Sequence, residues 1–465
     1  MPLGFSGLHL VTLHGFLTAT ALFTYVITTH LRQQRRHPSA AIAWILFILL
    51  VPYIALPSYF MFGSRKLKRT AARVQLREAT KTESRPWAVA TALALQQPGP
   101  MKYRRLVIHH DGAQALTALL GVIDQATHSI DICTYILRND EVGSVIIDRL
   151  CQKAVRGVQV RLLLDGFSNW NFFRPDLRKL KQVGGQYALF VPPLGSSLKG
   201  RTNLRNHRKL AIADGQLANA RMWSGGRNLS AEYFHGVPPA PAWQDLSFDI
   251  SGAITWQAKA LFDTDWNFAT GNRTTEPHNL LFAEKYDNQG AQLVASGPDQ
   301  IDDTVYSLLV TAAYQSQEKI LLVSPYFVPD SALLLALCLA ARRGVKVDLL
   351  IPQKSNHPIS DFARNRSIRS LSQAGASIWL SNKMQHGKLA VFDNVLALAG
   401  SANIDNRSLF INYELMVAFH TELDVNQFAA WFYKERENAT LYECTKPGLL
   451  RDLAEGMTLW VGFQL

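Results

Sequence analysis

The stretch His207-Arg208-Lys209-Leu210-Ala211-Ile212-Ala213-Asp214 has a near copy at His386-Gly387-Lys388-Leu389-Ala390-Val391-Phe392-Asp393. Each reads His-x-Lys, four apolar residues, Asp. Each is followed by a Gly-rich turn that closes on Asn: Gly225-Gly226-Arg227-Asn228 and Gly400-Ser401-Ala402-Asn403. One such match is within reach of chance in 465 residues. Two, each with its Asn, mark a duplicated site and make the fold a repeat.

Working outward, the chain runs twice through one programme. The first copy has a helical pattern near Ala113–Ala126, a strand at Ser129–Ile136, a helix near Val142–Arg156 and a buried strand over 158–164. The second has a helix near Asp302–Gln315, a strand at Lys319–Ser324, a helix near Ser331–Arg343 and a strand over 345–351. Arg156 and Arg343 are 187 residues apart, Tyr135 and Tyr326 191, His207 and His386 179. The period is too long for a solenoid. Alternating short strands and helices imply an α/β class with largely buried sheets. Two α/β domains packed face to face would present both motifs to a shared cleft. The expected domains are an N-terminal hairpin at 1–64, a basic linker at 65–100, a first α/β domain at 101–290 and a second at 291–465.

In an extended segment alternate side chains share a face. His207 and Lys209 therefore point one way, as do His386 and Lys388. An ammonium suits the non-bridging oxygens of a phosphate, and an imidazole can attack phosphorus or protonate a leaving oxygen. Two histidines permit a nucleophile and a separate general acid and base. Asn228 and Asn403 can offer neutral donors to the phosphate. Asp214 and Asp393 complete each catalytic motif, but a regular strand turns them away from the cleft, so a structural role is assigned to them. Asp245 in Trp243-Gln244-Asp245 and Glu414 in Asn412-Tyr413-Glu414 are candidates to orient the imidazoles by accepting a ring N–H, although each also reads as a surface charge. No carboxylate cluster suited to a metal is seen, and no metal or other cofactor is expected.

Apolar residues make up 48% of the chain, and the excess lies at the N-terminus. Residues 1–31 and 37–64 contain no Asp, Glu, Lys or Arg. Segments 8–29 and 40–62 each reach the ~20 apolar residues that a membrane-spanning helix needs. Pro52 and Pro57 should kink the second, and Trp44, Tyr53 and Tyr59 suit an interfacial or helix-packing role. The net charge is +12, but residues 65–85 carry eight basic and two acidic side chains, and Arg32, Arg35 and Arg36 add three more positive charges. Only +3 remains for the other 380 residues, which speaks against a nucleic-acid partner. A basic juxtamembrane segment attracts anionic lipid and favours the cytoplasmic side. Cys133, Cys151, Cys338 and Cys444 have no metal-ligand spacing and are read as reduced structural residues.

The paired motifs resemble the signature of the phospholipase D superfamily. Within it the chain looks like a bacterial cardiolipin synthase. The stretches that match include His37-Pro38-Ser39-Ala40, Thr134-Tyr135-Ile136, Asn206-His207-Arg208-Lys209, Pro325-Tyr326-Phe327-Val328-Pro329 and Asn403-Ile404-Asp405-Asn406-Arg407-Ser408. The resemblance covers nearly the whole chain. It implies two phospholipase D-like α/β domains with a shared cleft, behind a two-helix transmembrane hairpin in the bacterial inner membrane. It also implies a ping-pong transfer. One histidine, expected to be His207 although the near-symmetric motifs allow the reverse, attacks the phosphorus of a phosphatidylglycerol while His386 protonates the departing glycerol. A second phosphatidylglycerol then takes the phosphatidyl group, giving cardiolipin and glycerol. Phosphatidylglycerol and anionic membrane lipids are the expected partners; the oligomeric state stays open. With water as acceptor the same residues make a phospholipase D acting on phospholipid or, against the charge distribution, on nucleic acid. A scaffold that keeps the fold without catalysis is the third reading.

Three departures from the family pattern stand out. Ten residues separate Asp214 from Gly225 against six between Asp393 and Gly400, which could shift Asn228. The segment Gly166–Asn203 holds Trp170, Phe172 and Phe173, either a lipid-facing lip or a packed loop. The end of the chain, 458–463, is apolar.

Overall fold

The computed structural model describes residues 7–31, 38–63, 86–169, 175–192, 203–272, 290–300 and 302–445, and a few positions beyond. The basic segment 65–85, the aromatic residues Trp170, Phe172 and Phe173, and the apolar end of the chain lie outside the described residues.

Two mixed sheets carry the duplication. The first is formed by β1 (Tyr103–His109), β2 (Ser129–Thr134), β3 (Gln159–Asp165), β4 (Gln186–Phe190), β5 (Leu210–Ala213), β6 (Arg221–Gly225) and β7 (Ser247–Gly252), in the order β1-β7-β6-β5-β2-β3-β4. The second repeats that order. It contains β8 (Ala291–Ser296), β9 (Lys319–Val323), β11 (Lys346–Pro352), β12 (Ser377–Ser381), β13 (Leu389–Phe392), β14 (Leu396–Gly400) and β16 (Glu414–Phe419), with β17 (Ala439–Leu441) added beyond β12. A short parallel pair, β10 (Phe327–Val328) with β15 (Ile404–Asp405), stands apart. In both sheets the βαβ strands are parallel and the strands after the motif are antiparallel.

Local chemistry explains the regularity. Asp111, Asp140 and Asp330 each accept a backbone N–H from the first turn of the helix that follows, the standard way to satisfy an orphan donor. Those helices are α5 (Gly112–Gln125), α6 (Glu141–Val155) and α10 (Ser331–Arg342). The last two end alike. Arg156-Gly157 and Arg343-Gly344 put a glycine at φ 84° and 93°, the left-handed position that reverses a helix into a strand.

Each sheet is covered on one face by its own helices. α5 and α6 cover the first. α9 (Thr304–Gln315), α10 and α11 (Pro358–Gln373) cover the second. The other faces share one core. It draws Leu210, Ile212, Met222, Phe248 and Ile250 from the first sheet and Leu321, Leu389, Val391, Leu415 and Phe419 from the second. α8 (Ile254–Thr270) and α13 (Glu422–Arg436) supply Phe262, Trp266, Phe428 and Trp431 to the same layer. Phe248 is the keystone of this contact, edge-on to Phe419 at 5.5 Å and to Phe428 at 6.1 Å.

The longer turn of the first copy does not disturb the register. Leu210 pairs with Ser224, one residue before Gly225, and Leu389 pairs with Ala399, one residue before Gly400. The extra residues sit in the loop between Asp214 and Ala220 at the other end of the hairpin, so the expected shift of Asn228 does not occur. Of the four cysteines, all free, Cys133, Cys151 and Cys338 are buried, whereas Cys444 is exposed and is not a core residue.

The N-terminal segment differs from two long helices. α1 (Gly7–Leu31) is continuous, but the second apolar stretch is two helices, α2 (Pro38–Leu50) and α3 (Pro52–Phe62). The break falls at Val51 because Pro52 has no N–H to continue a ladder and instead opens α3. Pro57 sits within α3. Ala21, Tyr25, Ile48, Ala55 and Tyr59 pack the three helices together, and the Thr28 hydroxyl donates to the Tyr59 hydroxyl at 2.9 Å. Among the described residues no helix is long and apolar enough to cross a membrane.

Phe248→Ala removes the ring that joins both sheets. It is expected to cost about 3–5 kcal/mol, read as a fall of several degrees in the unfolding midpoint of the purified protein.

Candidate active site

Both motifs leave the sheet before they reach the histidine. His207–Lys209 and His386–Lys388 are extended segments immediately ahead of β5 and β13. Each is held by a single parallel bridge to the opposite repeat. Asn206 pairs with Tyr413 and Gln385 with Gln244. The His207 amide donates to the Tyr413 carbonyl at 2.9 Å, and the His386 amide to the Gln244 carbonyl at 2.6 Å. The residue after each bridge partner is a carboxylate. This crossing puts Glu414 Oε2 3.0 Å from His207 Nδ1, and Asp245 Oδ2 2.6 Å from His386 Nδ1. Each histidine is therefore oriented by the other repeat. With Nδ1 facing a carboxylate, the proton is directed there, which leaves Nε2 of His207 for a substrate, while Nε2 of His386 lies 3.1 Å from Lys388 Nζ.

The carboxylates are fully buried. Burial disfavours their charge, but His386, Lys388 and Arg227 outweigh it at Asp245, and His207, Lys209 and the Ser401 hydroxyl do so at Glu414. Both are held below the usual carboxylate range. The imidazoles move the same way. Burial and the nearby lysines lower His207 to about 4 and His386 to about 3, against the pull of their carboxylates. Both rings are neutral at pH 7, as a nucleophile requires.

Lys209 and Lys388 are buried as well. The Lys209 ammonium donates to the His207 carbonyl at 2.6 Å and lies 5.2 Å from the Tyr135 ring centre. Lys388 Nζ lies 2.8 and 3.1 Å from the two ring nitrogens of His386 and also donates to its carbonyl. Desolvation, with repulsion from Lys388, lowers Lys209 to about 7, and desolvation, with repulsion from Arg227, lowers Lys388 to about 8. Two strained cations beside two neutral imidazoles form a site that gains from binding an anion.

Asn228 donates from Nδ2 to the Tyr233 hydroxyl at 2.8 Å, and its buried Oδ1 has no partner. With the amide turned over, Tyr233 would donate to Oδ1 and Nδ2 would be free for a phosphate oxygen. The Asn403 Oδ1 is likewise buried with no partner among the described residues, while its side chain hydrogen-bonds to Asp405.

Asp214 and Asp393 make their contacts at the opposite end of each motif strand from the histidine. They stand just past the far ends of β5 and β13 at φ 52° and 51°. Asp214 accepts the backbone N–H groups of Thr127, His128 and Ser129. Asp393 accepts those of Gln317, Glu318 and Lys319. Each carboxylate locks the start of the neighbouring strand to the motif hairpin, and its oxygens are committed there.

Several supporting residues carry no local signature. Arg208, fully buried, pairs with Asp265 of α8 at 2.6 Å and donates to the Glu414 and Ser296 carbonyls. Asn206 also donates to Asp265. In the second repeat Gln385 donates to Glu435 of α13 at 3.3 Å. Asp265 and Glu435 are 170 residues apart, close to the 169 between Asp245 and Glu414; that matching offset was the one signal available. Ser401 donates to Glu414 Oε2 at 2.5 Å. At the equivalent Gly226 an added Cβ would lie 2.2 Å from Asp245 Oδ1, so the shorter carboxylate takes the place of a side chain. Aromatic rings abut both histidines: Tyr135 on His207 at 4.8 Å, and Tyr233 and Trp243 on His386 at 5.1 and 5.4 Å.

Asp245→Asn and Glu414→Gln keep the shape and remove the charge. Each is expected to lower phosphodiester turnover by roughly 10²–10⁴-fold. Asp214→Ala is expected to cost about 1–3 kcal/mol of stability through its orphaned N–H groups with the chemical step retained. Steady-state kinetics and thermal unfolding on the same preparations separate the two effects.

Comparison with known proteins agrees with this architecture. A family model described as "Cardiolipin synthase, PLD-like domain" matches residues 119–266 and 309–436, and one described as phospholipase D-nuclease N-terminal matches 19–64. Cardiolipin synthase 1 of Bacillus cereus is 30% identical over 459 residues, covering 92% of this chain and 89% of that protein. Cardiolipin synthase A of Pseudomonas fluorescens is 30% identical over 461 residues, covering 93% of each. Among solved structures, the phosphatidylserine synthase of Haemophilus influenzae superposes with a TM-score of 0.60 at 14% identity, over 82% of this chain and all of that one, and so shares its fold. With a matched model spanning both repeats, the chain belongs to the phospholipase D-like cardiolipin synthase family.

Proposed function

We propose that this protein is a cardiolipin synthase that transfers a phosphatidyl group from one phosphatidylglycerol to a second, releasing glycerol. The observation that carries the reading is the crossed pair of carboxylate-oriented histidines with a buried lysine beside each. It is a site for an anionic phosphodiester that needs no other group.

The mechanism follows from the geometry. The phosphate oxygens take the two ammonium groups, with Asn228 and Asn403 as neutral donors. His207 Nε2 attacks phosphorus, and Glu414 stabilises the imidazolium that forms. His386 gives a proton to the departing glycerol oxygen. Its imidazole is neutral in the empty site; the bound phosphodiester anion offsets the lysines and raises its affinity for the proton it must deliver. In the second half-reaction His386 accepts the proton of the incoming hydroxyl and the bond from phosphorus to His207 breaks. Lys209 and Lys388 hold charge against the equatorial oxygens throughout.

The N-terminal helices support membrane residence. Phe16, Phe23, Val26, Leu50, Tyr53 and Ile54 are among the large apolar side chains they expose, and segments 1–31 and 37–64 are free of Asp, Glu, Lys and Arg. An exposed apolar surface without charge is costly in water and stable in hydrocarbon. We read these helices as an inner-membrane anchor that seats its apolar exterior in the bilayer, with the catalytic body on the cytoplasmic side beside the basic juxtamembrane segment.

Phosphatidylglycerol labelled separately in glycerol and phosphate distinguishes the outcomes. Free glycerol with labelled cardiolipin supports transfer; free glycerol with labelled phosphatidic acid makes the protein a phospholipase D. His386→Ala is expected to accumulate a phosphatidyl-protein adduct at His207, detectable by mass spectrometry, and His207→Ala is expected to form none. In detergent micelles kcat/KM is expected to fall below pH about 4, as the nucleophile becomes protonated, and above pH about 7 to 8, as the lysines lose their charge.

A further inference from the structure

The repeat is symmetric in its catalytic residues and asymmetric around them. Trp243 and Asn412 occupy the same position, two residues before Asp245 and Glu414. Asn412 turns inward and donates to Glu414 Oε1 at 3.3 Å. Trp243 instead lies along His386, its ring centre 5.4 Å from the imidazole and 4.6 Å from Tyr233. Its amide is fixed to the Glu232 carbonyl at 2.9 Å, and the next residue, Gln244, makes the bridge to Gln385. Tyr233 is 3% exposed, whereas Trp243, packed against the core of the first repeat, is only partly buried.

The flank of His207 has the opposite character. Arg205 precedes it by two residues on the same extended segment, its guanidinium over the Phe167 ring at 4.4 Å. Arg407 reaches the Asn203 carbonyl at 3.2 Å. The positions equivalent to these arginines, counted from His386 and from Asn228, are Met384 and Glu232. Both flanks hold a ring and a cation, with Tyr135 on His207 and Arg227 close enough to act on Asp245, but the His207 flank adds two arginines and the His386 flank adds an indole.

We propose that Trp243, backed by Tyr233, is the acceptor platform. It receives the neutral glycerol headgroup of the second phosphatidylglycerol against the part of its ring left exposed beside His386 and keeps water away from that imidazole. This rests on the transfer reaction proposed above and names the residue that sets its outcome. In the second half-reaction the acceptor's primary hydroxyl oxygen bonds to phosphorus, its proton passes to His386 Nε2, and the electron pair of the breaking P–N bond returns to His207. Water at the same place would complete the same exchange of bonds and yield phosphatidic acid. The C–H face of a polyol packs on an indole, whereas a lone water gains nothing there and is excluded by apolar cover. Acceptor choice then depends on the ring and not on the histidines, which serve both reactions alike.

The test counts glycerol, cardiolipin and phosphatidic acid released from doubly labelled phosphatidylglycerol in mixed micelles by the full-length protein. Trp243→Asn puts the same residue at this position in both repeats. It is expected to raise the ratio of phosphatidic acid to cardiolipin by at least about tenfold, and Trp243→Phe, which keeps a ring, to change it by less than about threefold. A ratio unchanged in Trp243→Asn, with both products falling together, would overturn the proposal. Should Trp243→Asn not yield folded protein, Trp243→Ala carries the same criterion. Wild-type protein that makes no cardiolipin would instead sink the transfer reading itself.

Discussion

Everything at the centre of this molecule depends on a carboxylate from one repeat gripping an imidazole of the other. The 2.6 Å contact between Asp245 and His386 and the 3.0 Å contact between Glu414 and His207 fix the tautomer of both rings. They also leave the two buried lysines with ionised neighbours. Burying charge is costly unless partners are at hand. Here two cations and two anions enter together and are held by bridges that run between repeats. The shared core built on Phe248, Phe419 and Phe428 supplies the rigidity that such pairing needs, since an error of an ångström in the seam would separate each ring from its carboxylate.

Much of this was legible in the sequence. The duplication, the succession of helices and strands that opens each unit and the four His and Lys positions follow from spacing and periodicity, because local pattern alone decides them. Asp245 and Glu414 could be named as candidates but not distinguished from surface charges. What makes them partners is a pairing between segments some 140 and 200 residues apart, and no local signal encodes it. The same holds for Asp265 and Glu435, which look like ordinary polar positions on amphipathic helices. Asp214 and Asp393 are part of the motif as written, and strand alternation alone turns them from the cleft; which backbone they hold, the turns that open β2 and β9, depends again on distant pairing.

The N-terminal region shows where composition outruns geometry. Freedom from charge over two segments is plain in the sequence, but the way Pro52 ends one helix and begins another is a matter of one missing N–H. One long and two short packed helices with apolar exteriors satisfy the same composition as two long ones. Likewise, the ten-residue gap after Asp214 looked able to displace Asn228. Antiparallel pairing absorbed it in the distal loop, because ladder bonds resist slippage more strongly than a surface turn resists growth.

The crossed bridges have a consequence for descent. Neither repeat holds a complete site, so a half-length ancestor would have worked only as a pair of identical subunits, each completing the other's histidine. Strict two-fold symmetry would then have forced the same side chain on both flanks, and no such enzyme could have told its first substrate from its second by the walls of the site. Joining the two copies in one polypeptide removed that constraint. Each end became free to mutate alone, and the difference between Trp243 and Asn412 is the kind of divergence that only a fused gene can keep.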